Sequence, residues 1–189
     1  MDDITRLCRA QTRLTMLQIS LLARMAIVFP FLADLAHGEL KVYVKAKDPE
    51  YFLVIAQQRP HTVYLPGKES AVGKLVRCIE EPLIKETFQT GKPARGKREL
   101  NYGSMVDMFT FGIHDGDKVI GVLNFEVDLD KLSIEGYSHL LDAAVAVLYH
   151  ARHILNPEQF RPITASDGII ITDAHSRIRN CLLYTSDAA

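Results

Sequence analysis

The chain has 189 residues, 48% of them apolar, and carries 22 lysines and arginines against 23 acids for a net charge of -1. That length supports one sizeable core and part of a second, and the balance of charge excludes the broad basic field that draws a protein onto nucleic acid. The cysteines Cys8, Cys78 and Cys181 are scattered and odd in number, which excludes a disulfide scaffold and a CxxC zinc site and suits a reducing, cytoplasmic setting.

The opening "MDDITRLCRAQTRLT" mixes acids and bases around no apolar centre, so it does not read as a signal peptide. A short helix is expected over residues 3–11. A longer one follows, with Thr15 as N-cap and Gln18 completing a capping box. Leu17, Leu21, Met25, Val28, Leu32 and Leu35 recur at helical spacing and Gly38 stops the run. Pro30 predicts a kink near residues 26–29. This stretch is apolar, but Gln18, Arg24 and Asp34 make a bilayer span costly and a buried amphipathic helix the better reading.

The period then changes to two. Residues 39–47 alternate, with Leu40, Val42 and Val44 on one side; "DPE" turns the chain, and residues 51–59 form a more apolar strand that ends at Pro60. "HTVYLPGKESAVG" reads as loop, and "EEPLIKETFQTGK" as a helix opened at Pro82 and closed by Gly91. "GKPARGKR", residues 91–98, reads as a solvated charge run. The clearest strands come next. Met105, Asp107, Phe109, Phe111 and Ile113 share one face of the first, and Val119, Gly121, Leu123, Phe125 and Val127 one face of the second. "DGD" turns the hairpin between them.

A second long helix is expected over residues 133–155, ended by Asn156 and Pro157. The order predicts an α+β domain, an antiparallel sheet with helices over one face. Ile19, Leu22, Phe29, Leu140 and Val147 are left over by that packing, which predicts a homodimer through a helical bundle.

Catalytic elements are missing from the pattern. GxxxxGK[ST], GxGxxG and HExxH do not occur. Of seven histidines only His150 and His153 are close, one helical turn apart without an acid or thiol, so no metal is assigned. Glu126, Asp128 and Asp130 read as edge solvation at a strand end. What remains is a ligand pocket on the sheet, with Arg59, Tyr64, Asp107, Phe109, Phe111 and Asn124 as its candidates and Gln57 and Glu126 nearby. Arg59 would meet an anionic group, and Phe109 and Phe111 would face Asn124 across the hairpin. The same residues serve equally well as core and core boundary.

Four phrases carry a resemblance: "FLADLAHGELKVYVK", "FLVIAQQRP", "SAVGKLVRCIEEPLIKETFQTGKPARG" and "VIGVLNFEVDL". With them the chain resembles the N-terminal GAF-like sensor domain of cytoplasmic two-component histidine kinases, the PdtaS and ethanolamine-utilisation type. The resemblance implies a GAF-like antiparallel sheet flanked by long N- and C-terminal helices over residues 1–155 and a linker over 156–164. "ASDGIIITDAHSRI" then looks like the incomplete start of a PAS domain over 165–179. Residues 180–189, "NCLLYTSDAA", depart from the family and are expected to be a non-native tail.

The implied function is signal input to a sensor histidine kinase. ATP and Mg belong only to a kinase core that this chain lacks, so no cofactor is expected here. The implied partner is a cognate response regulator, possibly of the RNA-binding antiterminator kind, with no direct nucleic acid and no membrane. The sensed ligand is not implied. The other reading is a free-standing ligand-binding or dimerisation domain of a transcriptional regulator.

Overall fold

The computed structural model describes residues 2–60, 69–99, 105–130, 137–151, 168–172 and 175–183. Helix α1 (Asp2–Gln11) leads into α2 (Met16–Met25), a 3-10 turn (Ala26–Val28) and α3 (Phe29–Leu35). The Thr15–Gln18 capping box is formed, and the 3-10 turn stands where Pro30, lacking an amide hydrogen, interrupts the helical ladder. Six strands follow: β1 (Glu39–Lys45), β2 (Tyr51–Gln58), β3 (Leu75–Arg77), β4 (Ala94–Glu99), β5 (Met105–Asp115) and β6 (Lys118–Val127), with helix α4 (Pro82–Thr90) between β3 and β4. Helix α5 spans Tyr137–Ala151. The remainder of the helix expected over 133–155 lies outside the described residues.

The strands form one antiparallel sheet in the order β3-β2-β1-β6-β5-β4. Two of these strands were not expected. β4 is the run read as solvated charge: its residues alternate between half-buried and exposed, as an edge strand permits. β3 follows the segment read as loop, in residues that were assigned no element, and is only three residues long. The β5–β6 hairpin closes at Gly116, whose φ of 59° favours glycine at the turn. A bulge between Ile113 and His114 turns Val119 away from the face expected for it, so that Ile120 joins the larger core instead.

Side chains on the two sheet faces build two cores. On one face, Leu40, Val42, Val44, Leu53, Phe111, Leu123 and Phe125 pack beneath α1, α2, α3 and α5. The Tyr137 hydroxyl ties α5 to α3 by donating to the Ala36 carbonyl at 2.9 Å. On the other face, Tyr43, Phe52, Val54 and Val122 pack beneath Ile84 and Phe88 of α4. Helices therefore cover both faces, where one was expected.

Met16–Leu35 is long and apolar enough to cross a membrane by length and composition, and half of its most apolar stretch is buried inside the fold. The residues expected to be left over for a second copy are mostly used within the chain. Ile19, Leu22, Phe29 and Leu140 are buried in its own core, and Val147 packs against it. Leu17, read as part of the inward stripe, is instead 83% exposed.

A separate two-stranded antiparallel unit pairs β7 (Gly168–Thr172) with β8 (Ile178–Leu183). Its second strand runs through residues 180–183, which sequence reasoning set apart as tail; Ile170 pairs with Cys181 and Ile169 with Leu182.

Candidate functional site

The sheet face beneath α4 holds the densest collection of buried polar groups among the described residues. Alternation along β1 sends Glu39 and Lys41 to this face while Leu40 and Val42 enter the larger core. Register then sets Glu39 opposite Glu126 and Lys41 opposite Asn124 on β6, with Gln57 beside Lys41 on β2. Lys41 Nζ lies 2.8 Å from Glu126 and 3.1 Å from Glu39. Glu39 also accepts from Gln57 Nε2 at 2.6 Å and from Arg59 Nε at 3.2 Å.

From the far edge, Arg98 on β4 reaches Glu126 at 3.1 Å and pairs with Glu81, the residue that precedes α4. Glu39, Glu81 and Glu126 thus meet Lys41, Arg59 and Arg98 in one neutral network. Gln57 fastens the chain beyond the 61–68 segment by accepting from the Ala71 amide at 2.6 Å. Thr87 on α4 and Thr110 on β5 share a hydroxyl contact of 2.6 Å that holds the helix down.

Asn124 sits at the centre. It is completely buried, and its Nδ2 donates to Glu126 at 3.4 Å. Its Oδ1 is buried with no hydrogen-bond partner. An orphaned acceptor in a folded interior costs about 1–3 kcal/mol unless something donates to it, so this atom marks where a donor from outside the network would be welcome.

The network tunes its own members. Burial works to raise the Glu39 carboxyl, but Lys41, Gln57 and Arg59 outweigh it and hold the group below the ordinary glutamate range. Burial raises Glu81, against the pull of Arg98 and with help from Glu126. Burial would lower Lys41, yet Glu126 and Glu39 carry it above its usual value. The two shifted carboxyls act with opposite sign. The stability from Glu39 is complete above the ordinary glutamate value and is lost as the pH falls through its depressed one. Ionised Glu81 costs the fold, and that cost disappears on acidification. Glu39→Gln should therefore lose about 1.5–3 kcal/mol at neutral pH and show a shallower fall in urea midpoint between about pH 6 and about pH 3 than the parent chain. Parallel pH profiles for the two proteins would show that Glu39 is not held by this network.

The residues proposed from sequence do not form one lining. Arg59 and Asn124 belong to the network. Asp107, Phe109 and Phe111 project to the opposite face: Phe109 pairs with Phe125 and Phe111 with Leu123, while Asn124 is opposite Thr110. The expectation that the two rings face Asn124 fails because neighbours along a strand point to opposite sides. Phe109 packs beside the Tyr137 ring at 6.0 Å and under the Arg95 guanidinium at 5.0 Å, and Arg95 and Lys97 pair with Asp107. Tyr64 and His153 lie outside the described residues, and His150 is exposed on α5.

Sequence reasoning missed Glu39, Lys41, Glu81 and Arg98; it placed Glu126 near the pocket but also read it as edge solvation, although its side chain is 4% exposed. A charged residue set between two apolar ones, as in Leu40-Lys41-Val42 and Phe125-Glu126-Val127, was the available signal. Among the described residues, no group of three or more histidines, cysteines or acids is placed to hold a metal ion. Every cation in the network is matched by a carboxylate, and nothing there forms a nucleophile with its base.

A six-stranded antiparallel sheet with helices from both ends of the sequence on one face, and one helix over a part-apolar, part-polar surface on the other, is the arrangement of a GAF-type domain. The family model described as histidine kinase PdtaS, GAF domain, matches residues 4–138, and the chain belongs to that family. The match does not extend to the segment from residue 165 onward. Among solved structures, the sensor region of a sensor histidine kinase is similar in fold, with a TM-score of 0.70 and 22% identity over 96% of this chain and 65% of that one. This chain therefore spans 65% of that relative's length. An IcIR transcriptional regulator from Alicyclobacillus acidocaldarius aligns with a TM-score of 0.49 at 14% identity, over 70% of this chain and 65% of that one. The GAF-B domain of DevS from Mycobacterium smegmatis aligns at 0.46 and 14% identity, over 71% and 97%. No curated protein matches the sequence.

Proposed function

We propose that the chain is the signal-input region of a cytoplasmic two-component sensor histidine kinase, and that it takes a small-molecule signal on the sheet face beneath α4. The observation that carries this reading is the buried network built around Asn124, whose Oδ1 lacks a donor, in a chain of the PdtaS GAF family. Arg59 stands at the edge of that network and Asn124 at its centre. The ligand completes the polar pairing and bears on α4 through Glu81 and Arg98.

In this reading residues 1–155 are the GAF-like sensor domain, 156–164 a linker, 165–179 the truncated start of a PAS domain and 180–189 a non-native tail, although β8 pairs residues on both sides of that last boundary. ATP, Mg and transfer to a response regulator belong to the parent kinase. The parent works as a homodimer, with Met16 and Leu17 on α2 as exposed apolar surface open to a second copy.

The test is autophosphorylation of the parent kinase. Removing residues 1–155 should abolish its response to signal while ATP-dependent phosphorylation persists. A kinase whose response survives that deletion would overturn the reading.

A further inference from the structure

A cleft of about 590 Å³ opens where the β1–β2 turn, the second half of α4 and the first residues of β6 meet. It shares no residue with the network around Asn124. Its floor is aromatic: the Phe52 and Phe88 rings stack with centroids 5.1 Å apart and planes 19° from parallel. Its rim is basic. Lys45, Lys85, Lys118 and Arg13 line the opening against a single carboxylate, Glu50. Among the described residues, none of these four cations has a carboxylate within ion-pair distance. Lys45 Nζ stands 5.2 Å from the centre of the Phe88 ring, a cation–π contact at the cleft floor.

Cys78 lines the same cleft. Burial and Glu50 raise the Cys78 thiol above its ordinary range, and Lys85 and Lys45 both pull it the other way. Two ammoniums, one from α4 and one from β1, thus act on one side chain at the cleft. Unpaired like charges around a concave, low-dielectric wall concentrate positive potential in the opening. The volume is in the range of small-molecule sites, which join apolar walls to a few fixed polar groups.

We propose that this cleft is a binding site for a small aromatic anion, its ring laid against Phe52 and Phe88 and its phosphate or carboxylate held by the lysines of the rim. The site stands independently of whether the face around Asn124 takes a signal. The two lie toward opposite ends of the same elements: strands β1, β2 and β6 run through both, and α4 carries Lys85 and Phe88 and begins just after Glu81.

The experiment is a fluorescence titration of the full chain with 1-naphthyl phosphate and with 1-naphthoate. The chain contains no tryptophan, so naphthyl emission is read without protein background from that residue. 1-Naphthol and inorganic phosphate supply each half of the ligand alone. At least one of the two aryl anions should saturate the site, and the tighter of them identifies the preferred head group. Each half alone should bind at least about tenfold more weakly, and added salt should weaken the anion but not naphthol. The double variant Lys85→Glu, Lys118→Glu, both exposed positions, should weaken the anion by at least about tenfold with an unchanged circular dichroism spectrum. Lys92→Glu, outside the cleft, should bind like the parent. If the double variant fails to fold, Lys118→Gln should still reduce affinity and its salt dependence. Absence of saturable binding, naphthol binding as tightly as both anions, or affinity unchanged by loss of the lysines would each overturn the site.

Discussion

Glu126→Ala should destabilise the domain by about 3–5 kcal/mol, which for a domain of this size is a fall in melting temperature on the order of 10 °C. Glu126 is the shared partner of Lys41 at 2.8 Å and Arg98 at 3.1 Å, and Asn124 donates to it as well. Its removal leaves Glu39 and Glu81 alone to serve Lys41, Arg59 and Arg98 beneath α4, and the one buried positive charge left uncompensated costs far more than an intact pair contributes in net terms. Glu126→Gln keeps an acceptor and the side-chain volume, so it should cost less than alanine but remain clearly destabilising. An exposed pair provides the contrast. Asp3 and Arg6 lie 2.9 Å apart with side chains 79% and 77% exposed, and Asp3→Ala should cost about 0–1 kcal/mol. Thermal and urea melts of these variants decide the matter. Equal losses for Glu126→Ala and Asp3→Ala would mean that water reaches the network freely.

How much of this was legible in the sequence depended on whether the signal was local. The capping box at Thr15 and Gln18, the break at Pro30 and the β5–β6 hairpin all declare themselves within a few residues, through spacing and turn chemistry. The edge strand β4 did not, because "ARGKRE" has no apolar alternation; an edge strand buries little, so its pattern looks like any solvated charge run. Leu17 shows the limit of a helical stripe read alone: it fits the spacing of the buried residues and still points to solvent. The bulge at Ile113 and His114 exchanged Val119 for Ile120, a shift that strict period-two counting does not foresee.

The candidate site was harder for a different reason. Glu39, Glu81, Arg98 and Glu126 are dispersed along the chain and meet only through strand register and the placement of α4. Arg59 and Asn124 were singled out because a polar residue ending or interrupting an apolar strand is conspicuous, and both lie in the network. Phe109 and Phe111 were grouped with them because aromatic rings near polar groups suggest a pocket, but parity along β5 puts them in the core beneath the helices.

The central claim is that signal is taken on the face beneath α4, and a thermal-shift screen of the purified chain with small metabolites tests it most directly. A ligand present at about one hundred times its dissociation constant adds about 2.7 kcal/mol to stability, a rise in melting temperature on the order of 5–10 °C. Asn124→Ala and Arg59→Ala should each fold, as their own melts will establish, and each should lose most of that rise. Aryl anions whose effect depends on Lys85 and Lys118 belong to the cleft at the other end of α4 and are recognised by that dependence. The account predicts at least one ligand whose stabilisation disappears with Asn124 and Arg59 and survives the double variant His150→Ala, His153→Ala. Stabilisation that persists in full in both network variants and vanishes in the histidine double variant would contradict it.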